Sequence, residues 1–265
     1  MRYGYCTGLG FLKGDAFGLS LFQAVVSAGF DYVELPLSSI SELSADELTQ
    51  LEKFLTKIPC RACNLFFPPA LAIVGPNMDI GGIQKYLLKM LPLVMNLGVE
   101  TIVFGNGGAR RVPEGAMHED IWANLRTVVE IMDEHATKTG ITIVVEPLNK
   151  LETNILNSYG EAAKLTDGLQ NVATMIDSYH AFMENHNFDD VFAAPEKLQH
   201  LHTAYSAKRL VPSGKDDVLT YANFVQMVNK LGYSNKISIE GGLRNELPME
   251  EEISDALQTL KGLFL

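Results

Sequence analysis

A chain of 265 residues, 47% hydrophobic and 20% charged, carries enough apolar mass for a substantial core and is not composed like a disordered one. Its 32 acidic residues against 21 basic give a formal net charge of −11, which repels a phosphate backbone and argues against nucleic acid as a partner. No stretch of about 18 apolar residues occurs, and the opening MRYGYCTGLG lacks a basic segment followed by an apolar one, so no membrane partner and a cytoplasmic location are expected.

Along the chain, short β-branched or aromatic runs alternate with amphipathic stretches. RYGYC (2–6) predicts a first strand and 19–28 a helix; YVELP (32–36) is followed by a helix over 46–57. RACNLF (61–66) precedes a helix over 82–97, whose Leu87, Leu88, Leu91, Val94 and Met95 recur at helical spacing. TIVFG (101–105) and a helix over 118–139 come next, then ITIVVEP (141–147) and a helix over 158–168. VATMID (172–177) leads to a poorly defined helical stretch around 181–195. LQHLHTAYS (198–206) and KISIEG (236–241) are followed by helices over 217–231 and 250–263. Eight strand and helix pairs imply right-handed crossovers and a parallel sheet, and at this length a closed (β/α)8 TIM barrel is favoured over an open doubly wound sheet. With no proline-rich or serine-rich linker, residues 1–265 read as a single domain.

Cys6, Cys60 and Cys63 are too few and too uneven for a disulfide framework. The CRAC spacing has no second pair to complete a zinc site, and an offset of three along a strand turns two thiols to opposite faces, so both read as small strand residues. Pro36, Pro68 and Pro147 each stand just beyond an apolar run and hold the preceding residue extended.

In such a barrel the C-terminal ends of the strands build the site. Strand five ends in Glu146, strand six in Asp177, strand seven carries His202 and strand eight ends in Glu240, so four consecutive strands bring three carboxylates and one imidazole to half of the mouth. Carboxylates that close raise one another's pKa unless a cation sits among them. Oxygen-rich ligation with one nitrogen suits Mn²⁺ or Mg²⁺, with Co²⁺ or Zn²⁺ left open. His200 shares a face with His202 and lies one layer deeper, while Glu34 and Cys63 sit at or near the mouth.

The segments VVEPLNKLETNILN, MIDSYH, HTAYSAKR and SIEGG resemble the xylose-isomerase-like sugar phosphate isomerase/epimerase family, most closely its ketose 3-epimerases of the tagatose and psicose type. The resemblance implies one divalent metal, usually manganese, held by Glu146, Asp177, His202 and Glu240, with Glu146 and Glu240 as the acid/base pair. It also implies sugar contacts from Glu152 and His180, and a homodimer or homotetramer. The family places an arginine six residues after its strand-seven histidine; Lys208 stands there instead and Arg209 one later, which makes both candidates for gripping a sugar or a sugar phosphate. Hydroxypyruvate isomerase-like and inosose dehydratase-like chemistry on the same barrel stay open as alternatives, as does a non-catalytic sugar-binding role.

Arg110 and Arg111 in the glycine-rich GNGGARR loop are weaker candidates for a phosphate, and Trp122 reads as a helix anchor rather than a sugar platform. Asn149 and Asn157 read as loop or cap residues. The apurinic-site endonucleases on this barrel resemble one another in using extra histidines from strands three and four; those strands carry none here.

Overall fold

Each strand of this barrel is buried on both faces, one against the barrel interior and one against the helices, which is why the strands are near-continuous apolar runs rather than alternating ones. The computed structural model describes residues 1–216 and 218–264, the side chains of 218–220 excepted. The strands are β1 (Arg2–Cys6), β2 (Tyr32–Pro36), β3 (Cys60–Asn64), β4 (Thr101–Phe104), β5 (Thr142–Val145), β6 (Val172–Asp177), β7 (Leu198–Thr203) and β8 (Lys236–Ile239). They pair in parallel in chain order, and β8 closes on β1. The outer helices are α1 (Ala16–Ala28), α2 (Leu37–Ile40), α3 (Ala45–Leu55), α4 (Ile80–Asn96), α5 (Gly107–Arg110) and α6 (His118–Ala136). They continue with α7 (Tyr159–Leu165), α8 (Ser178–Met183), α9 (Asp189–Ala193), α10 (Val218–Lys230) and α11 (Met249–Leu263). No helix among the described residues is long and apolar enough to cross a membrane.

Local chemistry sets the helix starts. Asp15 accepts from the backbone N–H groups of Phe17 and Gly18 to open α1, and Ser44–Glu47 and Ser158–Glu161 form capping boxes at α3 and α7. Three expectations are corrected. The helical stretch around 181–195 is two short helices, because Asn185 and Phe188 adopt left-handed φ of 51° and 64° between them. In α4, Leu87, Met90, Leu91 and Val94 are buried but Leu88 and Met95 face solvent, so the apolar stripe is narrower than the run of hydrophobic residues suggests. The Cys60 and Cys63 thiols are neighbours rather than on opposite faces: the β2–β3 register skips Arg61, and that bulge cancels the odd offset. The four-residue helices α2 and α5 are too short to show any helical periodicity in the sequence.

A second register shift positions the mouth. Between β6 and β7 the pairing passes over Gln199, so His200 stands opposite Met175 and His202 opposite Asp177. On the other side His202 pairs with Ser238, which leaves Glu240 two residues further toward the mouth.

Inside the barrel, Tyr32 of β2, Gly4 of β1 and Ser238 of β8 form one layer. The fully buried Tyr32 ring crosses over Gly4 so that its hydroxyl donates to Ser238 Oγ at 2.8 Å. A Cβ on Gly4 would fall within the Tyr32 ring, so only glycine admits this crossing. Gly4→Ala is therefore expected to overpack the layer and lower stability by about 1–3 kcal/mol, read from the urea midpoint; an unchanged midpoint would show that the layer can shift to accept a methyl group.

Candidate functional site

Glu146, Asp177, His202 and Glu240 each offer a ligand atom, and those atoms all lie within 4.8 Å of one another at the C-terminal end of the barrel. Their strands explain the convergence: Asp177 and His202 are register partners, Glu240 N–H donates to Thr203 O at 2.9 Å, and Glu146 N–H donates to Phe104 O at 3.2 Å. His202 Nδ1 is 3.5 Å from Glu146 Oε1 and 3.1 Å from Glu240 Oε2. Gly105 makes room for the Glu146 carboxylate, whose Oε2 a Cβ there would overlap.

His202 is oriented from below. Its Nε2 meets Glu34 Oε1 at 2.8 Å, His200 Nε2 meets Glu34 Oε2 at 3.0 Å, and Ser238 Oγ donates to the same Oε2 at 2.6 Å. A carboxylate only accepts, so both imidazoles present Nε2–H to Glu34 and His202 turns its Nδ1 toward the mouth. Burial pushes the Glu34 carboxyl up, but His202 and His200 outweigh it and hold it well below the usual range. Burial disfavours a charged His202, yet Glu34 and Glu240 lift it well above the ordinary imidazole value. For His200 burial wins and pulls it down. Glu34 is fully buried, so it does not reach the cleft; it supports His202 instead.

The acidic corner is electrostatically strained. Burial raises Asp177 above its normal value, with His180 and Arg209 opposing the rise. Burial would raise Glu240 too, but His202 and Arg209 hold it down at about 2. Glu146 Oε1, His202 Nδ1 and His180 Nε2 are buried without a hydrogen-bond partner, all on this corner. Three carboxylates with an available imidazole nitrogen and orphaned buried atoms fit a hard or borderline divalent cation, which would satisfy the oxygens and nitrogen together.

His180 and Glu152 flank that corner. Asn149, buried at the start of the β5–α7 loop, fixes both: its N–H and its Nδ2 meet His180 Nδ1 at 3.2 and 2.8 Å, and its Nδ2 donates to Glu152 Oε1 at 3.2 Å. The amide orientation is set because Asn149 Oδ1 accepts from the backbone N–H groups of Leu151 and Glu152. His180 therefore accepts at Nδ1 and points Nε2–H at Glu146 Oε1, 4.0 Å away, and Asp177 Oδ2, 3.7 Å away. Asn149 was indistinguishable from a loop asparagine in the sequence; only its burial reveals its role.

Arg209 reaches over the same corner. Its Nη2 donates to Asp177 Oδ2 at 3.2 Å and to Glu240 Oε2, its Nη1 is 3.8 Å from Glu152, and its guanidinium lies 4.7 Å above the Tyr179 ring. Lys208, one residue earlier, is exposed, with no side-chain hydrogen bond or ion pair among the described residues. Left-handed turns at Ser206 (φ 57°) and Arg209 (φ 51°) shift the inward-facing position by one residue. The glycine-loop arginines are also accounted for within the fold. Arg110 is fully buried and donates to Phe104 O at 2.9 Å and to Glu146 O, its pKa pulled down to about 10 by burial. Arg111 donates to the carbonyls of Leu151 and Glu152. Trp122 packs on the core in α6, under Lys164.

The model of the xylose isomerase-like TIM barrel family matches residues 22–263. The chain is 32% identical to the D-psicose 3-epimerase of Agrobacterium fabrum over 218 residues, 73% of this chain and 69% of the relative. It is 27% identical to the L-ribulose 3-epimerase of Methylomonas sp. over 250 residues, 89% and 82% of the two chains. The crystal structure of a D-allulose 3-epimerase from Methylomonas sp. with D-allulose superposes with a TM-score of 0.81 at 19% identity, covering 100% of this chain and 97% of the other, a likeness of fold.

The Glu34–His202 pair sets a pH dependence for the metal-free protein. Glu34, lowered from 4.5, contributes stability that is fully present above about pH 4.5 and is lost as pH falls through its folded value. His202, raised from 6.5, contributes stability that is fully present below about pH 6.5 and is lost as pH rises through its folded value. Urea unfolding of chelator-treated protein should show a maximum between those limits, and Glu34→Gln should flatten both limbs. Parallel profiles for the two proteins would show that the pair does not govern them.

Proposed function

The chain belongs to the xylose isomerase-like TIM barrel family and is an enzyme of the sugar isomerase/epimerase class, and from its site we propose that it is a metal-dependent ketose 3-epimerase. The observation that carries this reading is the meeting of Glu146, Asp177, His202 and Glu240 from four strands around one corner, with Nδ1 of His202 turned into it. Mn²⁺ is the cation these donors suit best, with Mg²⁺, Co²⁺ and Zn²⁺ as alternatives. When bound, it would neutralise the negative charge that develops on the substrate oxygens as a proton leaves the neighbouring carbon.

The protein's own groups divide the rest of the work. Glu146 and Glu240 rise from β5 and β8, which are not neighbours, and so can address a substrate carbon from two sides. One carboxylate accepts the proton of the carbon next to the carbonyl, leaving an enediolate; the other returns a proton to the opposite face, and the configuration at that carbon inverts. Carboxylates are weak bases, so close positioning must supply much of the rate. Nε2–H of His180 donates to a substrate oxygen, Glu152 accepts from a hydroxyl, and Arg209 places positive charge over the reacting end.

A free rather than phosphorylated ketose fits the distribution of cations. Lys208 points to solvent, Arg110 is buried in the strand ends, and Arg111 is committed to backbone carbonyls.

Purified protein with Mn²⁺ and a panel of ketohexoses in D₂O should incorporate deuterium at carbon 3, with the 3-epimer accumulating. Exchange on none of the sugars, or label found only at carbon 2 of an aldose product, would overturn the assignment. Glu240→Gln should slow exchange by about 10²–10⁴-fold with an unchanged melting temperature; full activity in that variant would remove Glu240 from the acid/base pair.

A further inference from the structure

Beside Glu240 the mouth opens into a cleft lined by Cys6, Thr7, Pro36, Asn64, Leu65 and Gly242. The space lined by Pro147, Asp177 and His180 is much smaller. A ketohexose has a short arm, carbon 1, and a long arm, carbons 4 to 6, on the two sides of its reacting centre. The long arm belongs in the larger cleft.

Asn64 ends β3 and is nine-tenths buried. Its Nδ2 donates to Glu240 Oε1 at 3.2 Å, while its Oδ1 is buried without a partner. The amide cannot turn over without setting Oδ1 against the Glu240 carboxylate, so the free acceptor is fixed in place. The next residue, Leu65, holds a left-handed φ of 45°, which fixes the direction in which the chain leaves the strand. A buried acceptor left unsatisfied is costly, and a donor supplied by a ligand in the adjoining cleft removes that cost.

We propose that Asn64 is a specificity-determining residue that accepts a hydrogen bond from the substrate's 4-hydroxyl through Oδ1 while Nδ2 holds Glu240 in line with carbon 3. The inference rests on the epimerase reading and adds to it a residue and the hydroxyl that residue reads. The amide thus couples recognition of the long arm to the orientation of one member of the acid/base pair.

The test compares deuterium exchange at carbon 3 of the best ketohexose of the panel with that of its 4-deoxy analogue, in the Mn²⁺-loaded protein and in two variants. The unmodified protein should favour the parent sugar in kcat/KM by about 3- to 10-fold, the range of one neutral hydrogen bond. Asn64→Ala should bring that ratio close to one and also lower kcat on both sugars, because Glu240 loses its donor. Asn64→Asp keeps an acceptor for the hydroxyl but sets a carboxylate beside Glu240, so it should retain the preference for the parent while kcat falls. A preference that survives intact in Asn64→Ala, or one lost equally in both variants, overturns the proposal. Exchange by the unmodified protein on neither sugar overturns the functional reading itself, and this inference with it.

Discussion

A carboxylate with no exposed surface has to be surrounded by donors, and Glu34 meets that demand with two imidazoles and a serine hydroxyl. Much of the site follows from this one buried anion. It fixes the tautomer of His202, turns Nδ1 to the mouth, and draws positive charge onto that ring. The Tyr32 hydroxyl completes the chain by donating to Ser238, so a glycine on β1 is linked through three polar side chains, on β2, β8 and β2 again, to the imidazole of the candidate metal centre on β7. A buried ion pair of this kind contributes little net stability but tolerates little change, since losing one partner leaves a charge without compensation.

The overall negative charge and the local electrostatics tell different stories. The chain carries −11 in all, yet at the corner of Glu146, Asp177 and Glu240 three carboxylates crowd together, two of them buried. Arg209 and His202 answer that crowding from two directions, one from the loop above and one from the strand below. A divalent cation held there would compete with both for the same oxygens, and His202 would have to give up its Nδ1 proton to ligate it.

The strands were legible because parallel barrel strands are apolar throughout and end in turn-forming residues; the four acidic and imidazole positions at their ends were legible for the same reason. Side-chain facing was harder to read. The CRAC pair was placed on two faces because a bulge at Arg61 leaves no mark in the sequence. Asn64 and Asn149 were invisible as site residues for a different reason. An asparagine at a strand end is an ordinary turn residue, and only its burial against a charged neighbour distinguishes it. Arg110 inverted expectation in the same way, looking like a solvent-facing loop cation and serving as a buried tie between the ends of β4 and β5.

The separation of these groups along the chain has a kinetic consequence. Glu34 and Ser238 meet across 204 positions, and the four mouth residues come from β5 through β8, the last strand to be synthesised. No nascent fragment ending before β8 holds the complete set, so the four-residue corner is assembled only when that strand docks beside β1 and closes the circle. A ligand held by all four residues would bind only the closed barrel and would stabilise it against opening of the β1–β8 seam.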